Sequence, residues 1–285
     1  MDESARVRQH AELVVAYNLS MPNVGKLRYL EAPPQGDRPR GTLVLLHAFP
    51  LNARMWEPQL TLAAHGWRII APHLRGFDGG VSDPPASTVD DYAGDVIDLL
   101  DALHVDDAVI GGLSMGGYAA FAILRHAPRY VRGLILADTR SQADTPEGVA
   151  GRTRMLQLLT EKGPSAVVDE MIPKLLGAST RANRPELGDR VRALALSSPA
   201  EAIAGAIRAL MTRPDSTGLL STIHCPTLIV VGEEDTLTPP ALSEEMHRAI
   251  AGSELAVVPG AGHLSSVEQP DAFNSALAAF LTHRV

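Results

Sequence analysis

Ser114 stands in the run Gly111-Gly112-Leu113-Ser114-Met115-Gly116-Gly117, where Gly112, Ser114 and Gly116 make a G-x-S-x-G pattern. The apolar run 108–110 precedes it and a helical stretch, 118–126, follows. The serine therefore reads as the tip of a strand–turn–helix elbow. A residue at such a tip is held in a sparsely populated backbone conformation, and a Cβ on its neighbours would strike adjacent chain. The hydroxyl is lifted off the sheet, beside the positive end of the following helix, which favours a developing oxyanion. Such a hydroxyl becomes a nucleophile once a base takes its proton.

The sequence holds ten histidines. Only His263 follows a late apolar run inside a small-residue turn, Pro259-Gly260-Ala261-Gly262-His263-Leu264, ahead of a helix. A loop of that kind can carry an imidazole over a sheet edge, so His263 is the expected base. A third group must fix the imidazole tautomer and stabilise the imidazolium. Asp235, in Gly232-Glu233-Glu234-Asp235-Thr236-Leu237-Thr238-Pro239, stands just beyond the run 227–231. Glu233 and Glu234 are its neighbours and competitors, and Asp138, after the run 133–137, is a second candidate. The chain order Ser114, Asp235, His263 is the one expected for a fold of this kind. His47-Ala48-Phe49-Pro50 follows the run 42–46. There the Phe49 N–H, with that of Met115, would bind an oxyanion, because Pro50 has no N–H to give. The other reading of this segment is a tight turn in which His47 is a structural hydrogen-bonder.

These residues need a frame. Short apolar runs recur at 27–30, 42–46, 68–71, 108–110, 133–137, 227–231 and 255–258. Most lack strict alternation, as strands buried on both faces of a parallel sheet do. Between them lie helical stripes: Tyr92, Val96, Leu99, Leu100 and Leu103 in one, and Phe273, Leu277, Phe280 and Leu281 near the C-terminus. The alternation predicts an α/β fold with a mostly parallel, doubly wound sheet. From 140 to 215 the rhythm changes to helical periods and turn signals (Gly163-Pro164, Gly177, Arg184-Pro185, Ser198-Pro199, Arg213-Pro214) with no strand. This segment reads as a helical cap set over the carboxyl ends of the strands, where such sheets bind ligands. Core residues are then 1–139 and 216–285, and cap residues 140–215. The cap has no Phe, Tyr or Trp and is mildly basic over an acidic body. Arg152, Arg154 or Lys174 would be placed to meet a substrate carboxylate.

Composition narrows the function classes. The 285 residues carry a formal net charge of −8, with 45% hydrophobic residues and a mean hydropathy of +0.03. A chain of that charge, without a block of consecutive Lys/Arg, is not expected to bind nucleic acid or an anionic membrane. No segment approaches the ~20 apolar residues of a membrane span. The N-terminal Met1-Asp2-Glu3-Ser4-Ala5-Arg6-Val7-Arg8, with the short apolar stretch 13–17, does not read as a signal peptide, and a cytoplasmic location is the expectation. The single cysteine, Cys225, opens the run 225–231 and reads as a buried structural thiol.

With these segments assembled, the chain resembles the α/β-hydrolase superfamily from about Leu27 to the C-terminus. His47–Pro50 is similar to its His-Gly-x-Pro motif, with Ala48 in the glycine position, and 232–239 to its Gly-x-x-Asp-x-x-x-Pro motif. Pro72-His73-Leu74-Arg75-Gly76-Phe77 is similar to its Pro-Asp-x-Arg-Gly segment, with His73 where Asp is usual. The elbow and the run Gly262-His263-Leu264-Ser265-Ser266-Val267-Glu268-Gln269-Pro270 look most like 3-oxoadipate enol-lactonases and their esterase and cofactor-free haloperoxidase relatives. The resemblance implies the α/β-hydrolase fold, with the helical cap inserted after the sixth strand. It also implies hydrolysis of a small-molecule ester or lactone through an acyl-enzyme, without metal or organic cofactor. Serine rather than aspartate at the elbow argues against dehalogenase and epoxide hydrolase chemistry. C–C bond hydrolysis, perhydrolysis, acyl-homoserine lactone cleavage and slow-turnover ligand sensing are the competing readings, and a homo-oligomer is compatible with all of them.

Overall fold

The computed structural model describes residues 22–36, 38–79 and 86–285. The N-terminal stretch weighed above as a signal peptide lies outside them. Eight strands form one sheet in the order β1-β2-β4-β3-β5-β6-β7-β8. They are β1 (Asn23–Val24), β2 (Leu27–Ala32), β3 (Gly41–Leu46), β4 (Trp67–Pro72), β5 (Ala108–Leu113), β6 (Val131–Ala137), β7 (Thr227–Gly232) and β8 (Glu254–Val258). The first two pairings, β1 with β2 and β2 with β4, are antiparallel, and all the others are parallel.

Each of the seven apolar runs becomes a strand a little longer than the run itself. Every residue of β5 and β7 is buried, which is why neither alternates polar with apolar. Burial of each Val, Leu or Ile there contributes about 1.5–3 kcal/mol, so the unbroken apolar run is itself the signal of a central strand. Strand β1 is new. Two residues closed on β2 through Gly25, at φ 60°, are too short to carry a period. Cys225, expected to be buried with β7, is half-buried ahead of it.

Helices cover the crossovers. Helix α1 (Val89–Ala102) opens with a reciprocal cap between Thr88 and Asp91 and buries the stripe of Tyr92, Val96, Leu99 and Leu100. Leu103 of the expected stripe is the residue at which it stops. Helix α2 (Met115–His126) is buried over its first nine residues, Met115 to Ile123. A 3-10 segment, Ala53–His65, begins at Asn52, whose side chain accepts from Arg54 N, and ends at Gly66 with φ 83°. Pro58 inside it removes a donor and explains why no helical stripe announced it.

Between β6 and β7 the elements are helical: α3 (Pro146–Leu175), α4 (Ala178–Asn183), α5 (Pro185–Leu196) and α6 (Ala200–Thr212), with a 3-10 turn at Thr217–Thr222 before β7. The turn signals mark their ends. Gly163, at φ 78°, kinks α3 just before Pro164, and Pro185 opens α5. Helix α7 (Pro240–Ala249), the single turn α8 (Ser265–Glu268) and α9 (Pro270–His283) complete the fold. Among the described residues no helix is long and apolar enough to cross a membrane.

Strand order locates the crevice. From β3 the chain first builds outward to β4, then returns to the other side of β3 with β5 and continues to β8. The connections beyond β3 and β5 therefore diverge, and a crevice opens at their carboxyl ends. Phe49 and Ser114 follow those two strands.

Candidate active site

Ser114 has φ 53° and ψ −110°, a region that costs an L-residue of order 1–3 kcal/mol. Hydrogen bonds over-determine it: its N–H donates to Ala137 O (2.9 Å), and its carbonyl accepts from Gly117 N and from Thr139 Oγ1 (2.9 Å each). The flanking glycines have no room for a side chain. A Cβ on Gly112 would lie 2.1 Å from Gly116 O, and one on Gly116 would lie 2.1 Å from Leu46 O. Met115 is the first residue of α2, so its N–H is among those that a helix leaves without an internal acceptor.

His263 is buried between β8 and α8, and its Nδ1 lies 2.8 Å from Asp235 Oδ2. Asp235 Oδ1 accepts from Leu237 N (2.8 Å) and Thr238 N (3.0 Å), and Oδ2 accepts from Thr238 Oγ1 (2.6 Å). Burial works to raise this carboxyl. The charge and hydrogen bond of His263, with those of Thr238, outweigh it and hold Asp235 below the usual carboxylate range. An ionised Asp235 on Nδ1 favours the tautomer whose Nε2 is free to accept. Thr238, within the quoted motif but not singled out from sequence, touches both members of the pair. A threonine three residues after an aspartate is the pattern of a side chain closing its own loop, and that spacing was the available signal.

The other acids are engaged elsewhere. Glu233 accepts from Gly260 N, and Glu234 from Ser179 N. Asp138, fully buried at φ 43°, accepts from Gly232 N (2.8 Å) and from the amide and hydroxyl of Ser265. Burial, then the nearby charge of Asp235, pushes its carboxyl well above the usual range.

The His47 ring is a structural hydrogen-bonder. Its Nε2 accepts from Leu74 N (3.0 Å) and its Nδ1 bonds Ala48 O (3.1 Å), an arrangement that requires the neutral ring. Burial lowers it from 6.5 to about 3. Below pH ~6.5 the unfolded chain takes up a proton at His47 that the folded chain refuses, so stability is lost as pH falls toward 3. At pH 5 the loss from this one group is about 2 kcal/mol. Asp138 and Glu268, whose carboxyls are raised, act in the opposite sense, so a variant comparison isolates the histidine. Between pH 7 and pH 5, urea unfolding should show a loss about 2 kcal/mol smaller in His47→Gln than in the unsubstituted protein. Equal losses would mean that His47 is free to protonate in the folded state.

Ser114, His263, Phe49 and Thr238 line one cleft of about 570 Å³, which also reaches Met155, Leu158, Met171 and Leu210 of the helical insertion. The far wall is charged. Arg140, Arg152, Arg154 and Lys174 line it, with Asp144 and Glu170. Asp144 is shared by Arg140 (2.7 Å), Arg152 (3.3 Å) and the buried Arg213 (2.8 Å). Burial works to raise Asp144, but these guanidiniums, Arg213 first, hold it below the usual range. Lys174 pairs with Glu170 (2.9 Å). Among the described residues Arg154 makes no ion pair, and the buried Nε atoms of Arg140 and Arg213 meet no acceptor. No group of His, Cys, Asp and Glu suited to hold a metal ion occurs among the described residues.

Known proteins share this frame. Residues 43–276 match the model of the alpha/beta hydrolase family. The 3-oxoadipate enol-lactonase 2 of Acinetobacter baylyi is 28% identical over 249 residues, which are 87% of this chain and 90% of that protein. A malate-bound thermophilic esterase from Thermogutta terrifontis is 38% identical, with a TM-score of 0.84 over 90% of this chain and 93% of its own. The enol-lactonase of Burkholderia xenovorans is 26% identical, with a TM-score of 0.80 over 90% of this chain and 96% of its own.

Proposed function

The chain belongs to the alpha/beta hydrolase family, and from that membership and the geometry of the cleft we propose that it is a serine hydrolase cleaving a carboxylic ester or lactone through an acyl-enzyme. The observation that carries this reading is the meeting of two features in one cleft: the strained Ser114 elbow, and a His263 whose Nδ1 is bound to Asp235.

His263 takes the Ser114 proton on Nε2 as Oγ attacks the carbonyl carbon. The N–H groups of Phe49 and Met115 hold the oxyanion, and α2 adds the positive end of its dipole. Collapse breaks the bond to the leaving oxygen, which receives the proton from His263. A water deprotonated by His263 then attacks the acyl carbon, and the Ser114 oxygen leaves with that proton, returned by His263, as the acid is released. Asp235 stays ionised throughout and holds the ring. The helices between β6 and β7 act as a lid, supplying an aliphatic and methionine-lined roof without aromatic stacking.

Acid release from a panel of esters and lactones tests the reaction class. Many turnovers are expected. A single turnover per molecule would instead indicate a sensor, and no acid release at all would remove the reading.

The charged wall narrows the substrate. Three guanidiniums share Asp144, so positive charge is in excess, and Arg154 is left for a ligand. A carboxylate on the substrate would meet that excess with charge-assisted bonds. The enzyme should therefore prefer a carboxylated lactone over its methyl ester by about 10-fold or more in kcat/KM, because the methyl ester offers Arg154 no charged acceptor. Arg154→Ala should erase the preference. Arg152→Ala and Lys174→Ala should reduce it less, since both side chains are already paired. Equal rates for both substrates in every variant would leave a general small-ester hydrolase.

A further inference from the structure

The buried Glu268 is not used by the chemistry above, yet its carboxylate touches the histidine loop on both sides of His263. Oε1 accepts from Gly262 N (2.9 Å) and Leu264 N (3.2 Å), the amides that flank the base. Oε2 reaches the other way and accepts from Gly177 N (2.8 Å), between α3 and α4 of the helical insertion. Every partner is a donor, so the site asks for a group that only accepts, which is the ionised carboxylate. A buried carboxylate costs several kcal/mol unless it is satisfied in this way.

The two loops also meet backbone to backbone. A Cβ on Gly262 would lie 2.2 Å from Gly177 N, and one on Gly177 would lie 2.8 Å from Gly262 N and 2.7 Å from Glu234 Oε2. Gly177 has φ −60° and ψ 155°, an ordinary extended conformation, so its small size serves this approach and not a turn. A second strap lies alongside. Glu234, the residue before Asp235, accepts from Ser179 N (2.8 Å) and from Ser179 Oγ. The loop that bears the base and the loop that bears its acid are thus both fastened to residues 177–179 of the lid.

We propose that Glu268 is a positioning residue for His263, clamping the histidine loop to the lid so that the seating of the lid sets the placement of the base. The proposal rests on His263 being that base. A group that sets the aim of a base acts on acylation and deacylation alike, since His263 serves both. It should therefore change kcat and leave KM, which depends on their ratio, nearly alone. An anchor that serves only the fold would lower the melting temperature and spare kcat in the folded molecules.

The test uses Glu268→Gln, Gly177→Ala and His263→Ala in the full chain, assayed on a 4-nitrophenyl ester. The temperature is one at which circular dichroism shows each variant folded. Glu268→Gln keeps the shape but turns an NH₂ toward backbone donors. Gly177→Ala adds one methyl group between the loops and leaves the carboxylate in place, so it decides the matter if Glu268→Gln does not fold. Both are expected to lower kcat about 10-fold or more, with KM changed less than about threefold. Full kcat in either folded variant, whatever its melting temperature, would overturn the clamp. If His263→Ala keeps near-normal activity, the assignment of the base fails instead, and the two failures are told apart.

Discussion

Replacing Ser114 by alanine is expected to lower kcat/KM for ester hydrolysis by about 10³-fold or more while the protein remains folded. The change removes one oxygen. Alanine, like serine, has a single Cβ, so the strain at φ 53° and ψ −110° is carried equally by both residues. The bonds that hold the elbow run from the Ser114 backbone to Ala137, Gly117 and Thr139, and none of them uses the side chain. The melting temperature should therefore move by a few degrees at most, in contrast to the activity. A fluorophosphonate should label Ser114 in the unsubstituted protein and stop hydrolysis at a stoichiometry of one. A label found by mass spectrometry on a different serine, or an active Ser114→Ala variant, would remove Ser114 from the mechanism.

Gly112 and Gly116 show why this part of the site is legible in the sequence alone. Each faces backbone atoms about 2 Å from where a Cβ would sit, so no other residue type fits, and a glycine pattern survives in the sequence as a direct trace of geometry. The strands are legible for a related reason. In β5 and β7 both faces are buried, and a strand buried on both faces must be apolar at every position. Strand β1 and the 3-10 segment Ala53–His65 left no such trace. One is two residues long, and the other has Pro58 within it and no α-helical period.

Contacts made between distant segments were beyond reach of the sequence. Glu268 lies 91 residues from Gly177, and nothing in either local pattern announces that they meet. The same holds for Arg213, whose guanidinium joins Asp144 across the helical insertion and stacks 4.3 Å over the Tyr118 ring. Arg152 and Lys174 could be named as cations of the helical insertion from sequence. That both are already paired, and that Arg154 is not, depends on which acids the fold delivers beside them.

The acid presents the sharpest contrast, because Asp138 and Asp235 both follow strands, both are buried, and the charge of Asp235 acts on Asp138. Asp235→Asn is expected to lower kcat about 10³- to 10⁴-fold. Its amide oxygen would keep the N–H groups of Leu237 and Thr238, which places NH₂ where Oδ2 now faces His263. A donor at that position requires Nδ1 to accept, so the ring proton moves to Nε2, and Nε2 can no longer take a proton from Ser114. Asp138→Asn is expected to change kcat less than about 10-fold. The carboxyl makes no hydrogen bond to His263; it joins Gly232 to Ser265, and burial favours its neutral form. An asparagine can keep the bond from Gly232 N and donate to Ser265 Oγ, at a cost in stability of about 1 kcal/mol for the weakened contact with the Ser265 amide. Measuring kcat for both variants on one ester, each checked for folding, separates the two aspartates. A crippled Asp138→Asn beside an active Asp235→Asn would move the catalytic acid from the end of β7 to the end of β6. Loss in both would mean that the junction of β6, β7 and the histidine loop works as one unit, with Asp138 holding what Asp235 aims.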